Sequence, residues 1–150
     1  MICMKKNQFW KIIKMLDWSN EGNDDKVLAP VIQYLSEQSD EEIFDFENIM
    51  SKLLYDIDSK KIAMQLYGTL ELFSNDLFLY QRCVAIVNGQ GYYSSILYGG
   101  RTLDPDLEFE SILYVPMKAW AKKHQQDTSN YPHIAKPSYE SCSNEELWKN

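Results

Sequence analysis

The stretch SNDLFLYQRCVAIVNGQGYYSS, residues 74–95, constrains the chain more than any other. A polar start leads into an apolar run that ends at Asn88-Gly89. A nucleotide-binding loop needs a strand, then Gly-x-Gly-x-x-Gly, then a helix whose free amides meet a pyrophosphate. CVAIV would pass for the strand, but Gly89-Gln90-Gly91 is followed by Tyr92, Tyr93 and Ser94, with no third glycine. No Gly-Lys-Ser/Thr follows either, which excludes a P-loop. A capped helix accounts for more residues. Ser74, Asn75 or Asp76 offers an oxygen to the free amides of a first turn. Leu77, Tyr80, Val84 and Val87 then share one stripe. Asn88-Gly89 is the expected stop, where glycine is free to take positive φ.

Helical spacing recurs along the chain. Phe9, Ile12, Ile13 and Leu16 follow an i, i+3, i+4, i+7 stripe. SNEGNDD at 19–25 is a loop, and KVLAPVIQYLSEQ a second helix, kinked or restarted at Pro30. Ser39-Asp40-Glu41-Glu42 is a capping box in front of an apolar face of Ile43, Phe46, Met50, Leu53 and Leu54. A fourth helix fits 60–73, with Ile62, Leu66, Leu70 and Phe73. Another fits 107–123, capped by Asp104, started by Pro105 and bent at Pro116. Beyond Lys123 the chain is polar and proline-dotted, and reads as an extended tail pinned by Tyr131, Tyr139 and Trp148. The expected fold is all-α: a single compact helical domain of about six or seven helices over 1–123, with an irregular C-terminal tail over 124–150 packed on it.

Charge narrows the function. Between Asp17 and Asp58 twelve acids stand against Lys26 and Lys52, twelve minus two giving a local balance of −10 in a chain of net charge −7. A nucleic-acid binder needs the opposite sign, because phosphate contacts supply most of its affinity. Only two arginines occur, Arg82 and Arg101. Cys3, Cys83 and Cys142 are odd in number and far apart, so reduced thiols and a cytoplasmic location are expected. The basic N-terminal segment has no uninterrupted apolar core or cleavage site of a secretory signal. No stretch approaches the ~18 apolar residues of a membrane span.

The motifs also resemble those of a bacterial family, domain of unknown function 4240. Ser74-Asn75-Asp76-x-Phe78-x-x-x-Arg82, with eight residues between it and Gly91, and Phe9-Trp10 near the start, are similar to that family's middle and first helices. LEFESILYVPMKAW and SYESCSNEELW are similar to segments of its longer members. Asn75 stands where the family usually has Asp, and Gln81 where it has an aromatic residue. DSKKIAMQLYG stands in place of a segment like Trp-Asp-Leu-Trp. The resemblance implies a helical domain and carries no established activity.

Candidate chemistry is sparse. Ser74, Asn75 and Asp76 form the best polar cluster, with capping as the plain role and ligand contact as the other. Arg82 lies six residues beyond Asp76, so the two do not pair along a helix. It is expected to pair with an acid on another helix, or else to meet a substrate anion. The cluster Asp40, Glu41 and Glu42 reads as a first turn favoured by the helix dipole, or as part of an interface. Cys83 lies in an apolar run and reads as a small hydrophobe. His124 and His133 are nine residues apart with no ligand-spaced partner, so no metal, cofactor or catalytic group is expected. Two function classes follow. One is a cytoplasmic protein-binding module, in its sharpest form an immunity-type inhibitor of a basic toxin. The other is a small-ligand binder or enzyme built around Asp76 and Arg82.

Overall fold

The computed structural model describes residues 4–149; the position of Cys3 lies outside them. Among the described residues the chain is all-helical, with eight α-helices, three short 3-10 helices and no strand. No helix among them is long and apolar enough to cross a membrane. The chain divides into two compact units. Met1–Ile49 and Ser111–Ala135 form one, Met50–Glu110 and Lys136–Asn150 the other. The polar C-terminal segment is thus divided, 124–135 going with the first unit and the remainder with the second.

In the first unit, α1 (Lys6–Ile13) buries the expected stripe, with Phe9, Ile12, Ile13 and Leu16 each at most 6% exposed. Phe9 meets Phe46 at 4.7 Å between ring centroids. α2 (Asp24–Ser36) is capped by Asn23, whose side chain accepts from the Lys26 amide. Asp24 and Asp25 occupy its first turn, where the helix dipole favours acids. The helix runs through Pro30 without a break, so of the two expectations the restart is corrected. One hydrogen bond is lost, but Val27, Leu28, Val31 and Leu35 are buried on both sides of the proline and hold the helix together. α3 (Asp40–Asp56) begins at the anticipated cap, where the Glu42 amide donates to Ser39 Oγ at 3.2 Å, but the Glu42 carboxylate does not reach back to complete the box.

The second unit takes the remainder of α3, with α4 (Lys60–Tyr67), α5 (Asn75–Val87), α6 (Gln90–Leu97) and α8 (Glu145–Trp148). α4 stops well before residue 73. Gly68 adopts φ +74, a left-handed cap that side-chain-bearing residues avoid, so Leu70 and Phe73 follow in a turn. α5 matches the opening stretch in its limits but not in its pattern. Every residue from Phe78 to Val87 except Tyr80 is buried, while Leu77 is exposed. This is a central helix, not a one-stripe surface helix. Gly89, at φ +93, ends the run and leads directly into α6, which periodicity did not reveal.

The expected helix over 107–123 is corrected as well. Glu110–Tyr114 is a 3-10 turn in the structure, and α7 runs Val115–His124 within the first unit, packed along α2. Pro116 lies in its first turn, where a missing amide costs nothing, so it starts the helix and does not bend it. Asp104 accepts from the Asp106 amide at 2.8 Å, making a turn where a cap was expected.

Candidate functional site

Ser74 is the cap of α5: its hydroxyl accepts from the Leu77 amide at 3.2 Å. Asn75 contributes its carbonyl, which accepts from Ser141 Oγ at 2.7 Å. Asp76 is exposed in the first turn. Arg82 is wholly buried, the largest fully buried side chain among the described residues. Its Nη1 donates to Leu54 O at 2.8 Å. Its Nη2 donates to Tyr139 O and to Ser141 Oγ, both at 3.0 Å. The guanidinium also stacks 4.8 Å from the Phe78 ring. Ser141 therefore links Arg82 to the start of α5, while the Asp76 carboxylate and Arg82 share no surface.

The expectation of an acid paired with Arg82 is corrected. Among the described residues no carboxylate lies within ion-pair range of it. Two carbonyls and a hydroxyl accept from its two terminal nitrogens. Burial pulls the guanidinium below its ordinary pKa, and the charge of Asp58 acts against that pull. Asp58 is itself fully buried. It accepts from the amides of Cys142 at 3.0 Å and Asn144 at 3.1 Å, and from Trp148 Nε1 at 2.8 Å. Both buried charges bond the segment 139–148, and together they fasten it, while the buried Arg82 Nε has no hydrogen-bond partner. Sequence reasoning counted Asp58 among the surface acids. Its partners lie more than eighty residues away, and no local pattern marks it. Cys83, beside Arg82, is fully buried, which pushes its thiol up to about 12 and leaves it a small hydrophobe.

In the first unit, Asp40, Glu41 and Glu42 have three different fates. Asp40 binds Lys123 Nζ at 2.6 Å and His124 Nε2 at 2.9 Å. Burial pushes its carboxyl up, but these two neighbours outweigh it and hold the pKa below the ordinary carboxylate value. Glu41 is exposed. Glu42 lines a groove of about 420 Å³ together with Lys5, Asn7, Gln8, Tyr34 and Gln38. One turn further along α3, Glu47 is buried, and Tyr131 donates to it at 2.8 Å. Burial raises the Glu47 pKa, and the Tyr131 bond offsets part of the rise. His133 stacks on Phe44 at 4.7 Å and meets Asn48 Oδ1 at 2.8 Å; burial lowers its pKa. These contacts pin 131–133 on the flank of α3. Among the described residues no group of three His, Cys, Asp or Glu is placed to hold a metal ion.

Comparison with curated proteins and with solved structures gives no match. A family model described as "Protein of unknown function (DUF4240)" matches residues 4–122, from just before α1 to the last turn of α7. The match spans well over half of the chain, so the chain belongs to that family.

Proposed function

We propose that this chain is a protein-binding module that engages a basic partner through acids of its first unit, in its sharpest form as an immunity-type inhibitor of a basic toxin. One observation carries the reading. Glu21, Asp25, Glu37 and Glu41 are all exposed, and none has an ion-pair or side-chain hydrogen-bond partner among the described residues. Acids not needed by the fold create a field that steers a cationic partner. The charged groups that catalysis would recruit are occupied in other ways: Arg82 and Asp58 fasten the segment 139–148, and Asp40 is ion-paired.

The test has two stages. The tagged chain is used to capture partners from its native cell, and each captured protein is then purified and measured alone. The expected result is a basic protein that binds one-to-one, associates more slowly as salt rises, and loses its toxicity on co-expression with this chain. A purified partner of acidic charge, or binding indifferent to salt, would overturn the reading.

A further inference from the structure

The groove between α1, α2 and α3 has a lining that neither the fold nor the exposed acids explain. It is polar. Asn7 Oδ1 accepts from the Gln8 amide at 2.8 Å, Gln8 Nε2 donates to the Tyr34 hydroxyl at 3.3 Å, and Gln38 Nε2 donates to Tyr34 O at 3.2 Å. Each amide side chain thus has one end committed to the protein. Its other end, Asn7 Nδ2, Gln8 Oε1 or Gln38 Oε1, has no protein partner among the described residues. Donors and acceptors interspersed along one groove are what a peptide backbone presents in return.

The charges add direction. Lys5 and Glu42 both line the groove, yet they form no ion pair with each other, and neither side chain has another partner among the described residues. A uniformly basic occupant satisfies Glu42 and is repelled by Lys5. An occupant bearing one acid and one base satisfies both. An apolar helix leaves the amides and both charges desolvated without partners, which is costly. The volume, about 420 Å³, lies in the range of about 300–1,000 Å³ that takes small ligands and short segments.

We infer that this groove binds an extended segment of a partner protein, with a basic side chain at Glu42 and an acidic side chain at Lys5. This rests on the protein-binding reading and names its contact site. A backbone running along the groove exchanges hydrogen bonds with Asn7, Gln8 and Gln38, while the charged pair fixes its direction.

The test uses the full isotope-labelled chain and end-capped octapeptides of serine and glycine. One peptide carries alternating Lys and Glu, one carries Lys only, and one is uncharged. Amide shifts are followed up to millimolar peptide. The mixed peptide is expected to move Asn7, Gln8, Tyr34, Gln38 and Glu42. Lys5→Gln and Glu42→Gln are each expected to weaken it about tenfold, the scale of one good charge-assisted contact. Lys5→Glu combined with Glu42→Lys restores binding, because the peptide can lie in the opposite direction; a merely misfolded variant would not recover. If the Lys-only peptide binds as tightly and moves Glu37 and Glu41 alone, the groove is overturned while the acidic module stands. If free lysine or glutamate reproduces the same shifts, the peptide occupant is overturned. If no arm binds, the groove is overturned, and the module stands or falls on its captured partner.

Discussion

Arg82 is a buried cation whose terminal nitrogens donate to oxygens without formal charge. Leu54 O and Tyr139 O each lose the Arg82 donor if the side chain is removed, and the guanidinium leaves a hole beside Phe78. Arg82→Ala is therefore expected to cost about 3–5 kcal/mol in urea unfolding, from unpaired buried groups and the cavity together. A variant that unfolds like the parent would place Arg82 outside the core. Glu47 supports a second prediction, in pH. Its folded pKa is raised above the unfolded value. Below the unfolded value, near 4.5, both states hold the proton; as pH rises toward the folded pKa, the unfolded chain releases it first. Relative to Glu47→Gln, the parent is thus expected to be most stable near pH 4 and to lose ground as pH climbs. An offset between the two proteins that is constant from pH 4 to 8 would rule this out. The inward position of Arg82 was legible, although its partners were not; the burial of Glu47 was not legible. Local charge patterns mark an acid as polar, but its burial depends on Tyr131, eighty-four positions away.

At the scale of elements, ends governed by local chemistry were legible. The Ser39 and Ser74 caps, the stop at Asn88-Gly89 and the buried stripes of α1 and α3 follow from neighbouring residues alone. Where two local signals competed, the reading failed. The spacing of Leu66, Leu70 and Phe73 continued the helical period across Gly68, but a glycine in the left-handed region ended α4. Asp104-Pro105 carried the grammar of a helix start, yet Pro116 marks the start that α7 uses. For the candidate site, the exposed acids were legible as composition. The groove was not, because its lining comes from three helices that sequence spacing cannot bring together. Ser74 gives the prediction at this scale. Its hydroxyl satisfies one free amide of a central helix, so Ser74→Ala is expected to lower stability by about 0.5–2 kcal/mol, and Ser74→Asp to retain most of it. Partner binding should be unchanged by either. Loss of binding at an unchanged melting temperature would give this turn a role beyond capping.

At the scale of the whole molecule, the local balance of −10 overstates the field available to a partner. Asp17 is bound by Ser19 and Asn20, Asp40 by Lys123 and His124, and Asp45 by the Met4 amide. Glu47 and Asp58 are buried, and Asp56 pairs with Lys52. What remains exposed and without an ion-pair partner in the first unit centres on Glu21, Asp25, Glu37 and Glu41. Steering by such charges acts on approach more than on the docked complex. At ~0.15 M ionic strength the Debye length is ~8 Å, so exposed charges are screened while buried ones are not. Reversing Asp25, Glu37 and Glu41 to Lys is therefore expected to slow association with the basic partner about tenfold or more, to flatten its salt dependence, and to leave melting nearly unchanged. Reversing Asp40 should do the opposite. It places a third cation beside Lys123 and His124, lowers the melting temperature, and changes the association rate less. Stopped-flow association from low to high salt, with a melting curve for each variant, separates the two. If the Asp40 variant slows association most, or the triple variant melts early while associating normally, the division between acids that fasten the fold and acids that meet a partner is wrong.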